Sequence, residues 1–192
     1  DLRRYRKGTD TMDTNTERFH KKLETILRSK YTYPFLLIAL FILLILAVIP
    51  AGSVFGSNTD WLSQHASLAE TIRDACLDQH TLLPSWIPLG GGSNGYQVAY
   101  YGFFRPDILI GCLLPRIPMV TILICYMLAV YLISVLLCFF WLKGEGLRPV
   151  LAFGGSVLFM TAGCLFHMHR QVMFVNYLPF LLLAFLCVSK KR

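Results

Sequence analysis

Charged side chains are scarce in this sequence: Asp, Glu, Lys and Arg together make up 15% of 192 residues, where a soluble domain carries about 25%. Five stretches, 31–59, 79–104, 117–142, 149–169 and 171–189, hold none at all. That shortage excludes an ordinary soluble globule, and the 55% of apolar residues excludes a disordered tail. Paired cysteine motifs are missing too. Cys76, Cys112, Cys125, Cys138, Cys164 and Cys187 show neither CxxC nor metal-ligand spacing, which argues against a secreted disulfide scaffold. Five of the six lie in apolar sequence and read as small packing residues. Only Cys76 falls clearly in a loop, so no structural disulfide is expected.

Long apolar runs fill the space left by charge. Four of the charge-free stretches are rich in Leu, Ile, Phe and Val and approach the roughly 20 residues that cross a bilayer. The predicted spans are 34–50, 119–142, 150–166 and 172–188, each a helix because an isolated apolar span must satisfy its backbone within itself. The expected fold class is therefore all-α, a polytopic membrane protein with four transmembrane helices. Its net charge of +7 then reports orientation. Nine Lys and Arg precede the first span, Lys143 and Arg148 lie between the second and third, and Lys190, Lys191 and Arg192 close the chain. Arg73, Arg105, Arg116 and Arg170 fall on the other side. The positive-inside rule places both termini in the cytoplasm of a cell and makes the protein a multi-pass resident of its membrane. Nucleic-acid binding is not expected, since most basic residues sit where insertion already requires them.

Residues 1–33 form a basic leader and 34–192 the membrane domain. Within the leader, Phe19, Leu23, Ile26 and Leu27 share one helical face among basic residues, with Thr14 and Glu17 as a capping box. Two readings stand: a helix on the anionic inner leaflet, or a solvated leader that only sets topology.

The external loop, 51–118, is where chemistry is expected. A juxtamembrane helix is predicted from about Trp61 to Leu77, with Leu62, Leu68 or Ala69, Ile72 and Cys76 on one face. Glu70, Arg73, Asp74 and Asp78 fall mostly on others, and Thr59 or Asp60 caps the start. Gly90, Gly91, Gly92 and Gly95 then allow positive φ or close backbone approach, and Tyr96, Tyr100 and Tyr101 follow. The apolar, proline-broken run 108–118 reads as a re-entrant or interfacial piece.

Three polar groups stand out. Asp60, near the outer surface, can act as a general base or hold a cation, or serve only as a helix cap. HMHRQ at 167–171 sets His167, His169 and Arg170 in the outer turn between the last two spans. Arg170 suits bidentate binding of a phosphate, or a contact with lipid headgroups. The i,i+2 histidines make a poor metal site, and no metal site is assigned. Asn176, Tyr177 and Pro179 lie inside the fourth span, where helix packing competes with a cavity role.

TDWLSQH at 59–65, GGGSNGYQVAYYGFFRPD at 90–107, LLP at 113–115 and HMHRQVMFVNYLPFLLLAF at 167–185 carry a resemblance. In order and spacing, from about Tyr33 to the C-terminus, they resemble the YfhO family of bacterial multi-pass membrane proteins. That family is similar to the GT-C glycosyltransferases, so the resemblance implies the N-terminal part of a GT-C fold. It implies an enzyme that transfers a sugar from a polyprenyl-phosphate donor to a cell-wall polymer such as lipoteichoic acid on the outer face of the membrane. In such enzymes an acidic residue just past the first span is catalytic, which makes Asp60 the expected base. Arg170 is then expected at the donor phosphate. Gln64, His65, Asn94, Tyr96, Tyr100, Tyr101, Arg105, His167 and His169 are expected to line the sugar or acceptor site. Partners would be the lipid-linked sugar, the polymer acceptor and membrane lipids, with no resident cofactor assigned. Family members are several times longer, so the chain is expected to be an N-terminal piece. A transporter, marked by polar groups at mid-membrane such as Asn176, is the alternative; a non-catalytic membrane fragment is the third.

Overall fold

A computed structural model describes residues 31–48, 61–89, 91–96, 103–162 and 176–189. Among them the fold is mostly helical. The α-helices are α1 (Thr32–Val48), α2 (Ser67–Asp78), α3 (Pro106–Leu113), α4 (Met119–Gly144), α5 (Pro149–Thr161) and α6 (Leu178–Ser189). A π-helical turn, Trp61–Ala66, runs directly into α2.

The central element is α4, which packs against each of the other five α-helices. Its 26 residues are mostly apolar, with Lys143 in the last turn, and it is the one helix among the described residues long and apolar enough to cross a membrane. At about 1.5 Å per residue it is roughly 39 Å long. The helices around it are shorter than α4. Helix α1 has 17 residues, and the chain beyond Val48 lies outside the described residues. Helix α5 stops at Thr161, well before Phe166, because Ala162 takes an extended conformation (ψ 123°). Helix α6 begins at Leu178, which moves Pro179 from the interior of a predicted span to a helix's second position. A proline is accommodated there because first-turn amides have no intrahelical partner. Helices α3 and α5 likewise start on Pro106 and Pro149, and Pro118 precedes α4; none of the three has a capping side chain.

Aromatic rings and small residues set how these helices meet. Tyr33 of α1 lies 6.3 Å from the ring of Phe139 and 5.7 Å from that of Phe153, and Phe41 meets Tyr131 edge-on at 5.5 Å. The α4–α5 contact is close because α5 presents Ala152, Gly155 and Ser156; a Cβ on Gly155 would come within 2.7 Å of Leu142. The buried hydroxyls of Ser134 and Ser156 donate back to Val130 and Ala152 carbonyls, both at 2.8 Å. Tyr131 donates its hydroxyl to the Met160 carbonyl and so ties α4 to α5.

The loop after α2 departs from the all-α expectation. A two-stranded antiparallel ribbon, β1 (Trp86–Ile87) and β2 (Ser93–Asn94), pairs Trp86 with Asn94. Gly91 and Gly92 turn the chain at φ 90° and 112°. Gly95 lies so close to the Pro84 carbonyl that an added Cβ would sit 1.9 Å from its oxygen. Gln79 anchors the ribbon to the end of α2: its Nε2 donates to the Trp86 carbonyl, and its Oε1 accepts from the Ser85 N–H at 3.0 Å. Ile87 is fully buried. Between α2 and this clamp, His80 sits at φ 49°, a left-handed conformation that costs a side chain with a Cβ about 1 kcal/mol or more. Replacing His80 with Gly is expected to raise stability by about 0.5–1 kcal/mol. A chemical or thermal melt that shows a loss would refute the strain.

Candidate functional site

The expected outer loop gathers around the N-terminal end of α4. Trp61 opens the π-helical turn and is fully buried, with the His65 ring 6.4 Å away and 2% exposed. That turn packs on both α2 and α4, so Trp61 and His65 form an internal wedge. Gln64, one residue before His65, faces solvent.

The second block ends on a pair of opposite charges. Pro106 opens α3 and puts Asp107 in its first turn, where the helix dipole favours an anion. The Asp107 side chain is fully buried. Arg105, 9% exposed at its side chain, clasps it with two N–H groups, Nε to Oδ1 at 2.9 Å and Nη2 to Oδ2. Such a fork-on-fork pair fixes geometry as well as charge. The pair lies within electrostatic reach of the Tyr126 phenol on α4, between the buried Phe103 and Ile108 in sequence. Asp107 was not among the sequence candidates. The signal was present in Arg105-Pro106-Asp107, where an acid in the first turn of a proline-started helix follows an arginine by two residues.

A second cation is buried against expectation. Arg73 had been assigned away from the apolar face of its helix, yet it is 7% exposed, alongside Ala69, Ile72, Ala75 and Cys76. Its long stem passes over Gly111, where an added Cβ would meet Arg73 Cδ at 3.2 Å and Met119 Sδ at 2.7 Å. Its guanidinium donates to Asp74 Oδ1 at 3.0 Å, Glu70 Oε1 at 3.2 Å and the Ile117 carbonyl at 3.0 Å. Arginine can be buried this way because its stem is apolar and its planar head finds acceptors on three sides. Arg73 thereby joins α2 to the turn that enters α4.

Of the remaining expected site residues, Asn94 and Tyr96 are exposed on the ribbon and just after it, and the Asn94 side chain accepts from the Tyr96 N–H at 3.0 Å. Asp60, Tyr100, Tyr101, His167, His169 and Arg170 lie outside the described residues. The structure therefore brings Trp61, His65 and the Arg105–Asp107 pair to the parts of the chain that pack on α4. Among the described residues no group of three His, Cys, Asp or Glu side chains is placed to hold a metal ion. What the arrangement offers chemically is a buried ion pair in which Arg105 is neutralised by the Asp107 carboxylate. No protein-family model, curated protein or solved structure matches this chain.

Proposed function

We propose that this chain is a multi-pass membrane protein with both termini in the cytoplasm. On this reading it is a YfhO-like, GT-C-type glycosyltransferase component acting on lipid-linked sugars at the outer face. The observation that carries the reading is structural economy in the loop. Two of the blocks that carry the resemblance, the one at 59–65 and the one at 90–107, contribute Trp61, His65 and Asp107, which are buried in the elements that pack on α4. Leu-rich packing alone would not demand them. In this reading Asp60 accepts the proton of the incoming hydroxyl and Arg170 compensates the departing phosphate. Gln64, His65, Asn94, Tyr96, Tyr100, Tyr101, His167 and His169 line the donor or acceptor path, and Arg105 holds the wall of that path through Asp107. The four spans and the charge asymmetry belong to the same proposal.

Replacing Asp60 with Asn in the protein as it occurs in the cell is expected to lower glycosylation of the wall polymer at least about 100-fold, the scale of a lost general base. Expression should persist. Unchanged glycosylation in that variant would sink the reading. A second reading has one observation in its favour: the Asn176 side-chain oxygen is buried with no hydrogen-bond partner among the described residues, as an intramembrane solute site would have it. Solute transport that needs Asn176 and ignores Asp60 would move the assignment to a transporter.

A further inference from the structure

Cys76 and Cys112 were separated by the sequence, one in a loop and one in an apolar run, and the fold brings them together. Cys76 lies on the buried face of α2, and Cys112 is the next-to-last residue of α3, half-buried. The two helices pack directly on each other. Both thiols border one cavity of about 190 Å³, whose other walls are Leu77, His80, Thr81 and Leu82. Each sulfur lies close enough to the other to affect its ionisation. A disulfide needs two sulfurs on separate elements whose backbones already approach, and room for a reagent to reach one of them. Both conditions hold here.

We propose that Cys76 and Cys112 form a disulfide that cross-links α2 to α3 and closes a loop containing the ribbon and the Arg105–Asp107 pair. The oxidant is a low-molecular-weight or protein disulfide in the external medium. Its presence in the cell rests on the outer-face placement of this loop. The two thiols take different parts. Burial pushes the Cys76 thiol up to about 11, with the neighbouring Cys112 reinforcing the effect. Burial also raises Cys112, with the neighbouring Cys76 and the Arg73 guanidinium opposing it and the Asp74 carboxylate adding to it. Cys112, the more exposed of the two, is the thiol that an external disulfide reaches first. It displaces one thiolate from the external disulfide and becomes a mixed disulfide. Cys76 then gives up its proton and attacks the Cys112 sulfur, expelling the second thiolate. Two protein thiols lose two electrons and two protons overall, and one external disulfide becomes two thiols.

The test uses the purified chain in detergent, reduced and then exposed to oxidised glutathione. Remaining thiols are counted under denaturing conditions by mass-tagged maleimide. The expected result is a loss of two adducts on oxidation. Cys112→Ser and Cys76→Ser should abolish that paired loss, whereas Cys125→Ser and Cys187→Ser should keep it. No loss in the unaltered chain, a loss that survives Cys112→Ser, or a stable glutathione adduct on Cys112 in place of the cross-link would each overturn the proposal. Peptide mapping of acid-trapped cells reads the placement separately. A disulfide that forms in detergent but is absent from cells refutes the outer-face orientation and leaves the cross-link itself standing.

Discussion

Replacing Asp107 with Ala should cost this protein about 3–5 kcal/mol, because removal of one partner from a buried pair strands the other charge. The Arg105 side chain is 9% exposed, and the carboxylate it loses is fully buried. The anion at the first turn of α3 contributes a smaller share, about 0.3–1 kcal/mol. The pair's own net worth is another matter. Converting both residues together, Arg105→Met with Asp107→Leu, is expected to recover most of the loss, since apolar replacements remove both desolvation costs at once. Thermal or denaturant unfolding of the solubilised chain measures all three variants. A single Asp107→Ala variant within about 1 kcal/mol of the parent would show that water or a movement of Arg105 relieves the charge. A double variant as damaged as the single would show that the pair is needed for more than its neutrality.

The second large effect is expected at Trp61. Its side chain is among the largest fully buried in the protein, and truncation to Ala should cost about 3–5 kcal/mol through lost burial and the space left behind. Trp61→Phe keeps much of the volume and should fall well short of that. Trp61 directly follows Asp60, so the two substitutions also separate position from chemistry. If Asp60 is the base proposed above, Trp61→Phe should retain part of the glycosylation that Asp60→Asn abolishes. Trp61→Ala should lose it along with the fold of the loop. Full stability in Trp61→Ala would mean that the π-helical turn is held by other contacts and that Trp61 anchors nothing.

How far the sequence carried these conclusions depends on whether the cause was local. The start of α4 at Met119 was legible because Pro118 and a charge-free apolar run announce it within a few residues. The helix following Trp61 was legible from its spacing, and so was the buried face containing Ile72 and Cys76. Arg73 was misplaced because charge counts as polar in any periodicity, while the reason it is buried lies more than 40 residues away at Ile117. The apposition of Cys76 with Cys112, and of Arg105 with Tyr126, depends on how α2 and α3 lie against α4, and no local pattern encodes that. Helix α5 was drawn too long because hydropathy registers composition; the backbone turn at Ala162 leaves no trace in it.

The prolines at the helix starts bear on the scarcity of charge in this chain. Every helix begins with about four amide hydrogens that lack an intrahelical acceptor, and a cap of Ser, Asp or Asn ordinarily receives one of them. Helices α3 and α5 begin on prolines, and α6 has one at its second position. Each such residue carries no amide hydrogen, so one donor fewer has to be satisfied at that end. At α3 and α5 this economy comes beside charge: Arg105 and Asp107 flank Pro106, and Arg148 precedes Pro149. The ionised groups beside such an end are left to pair with one another, as Asp107 does with Arg105.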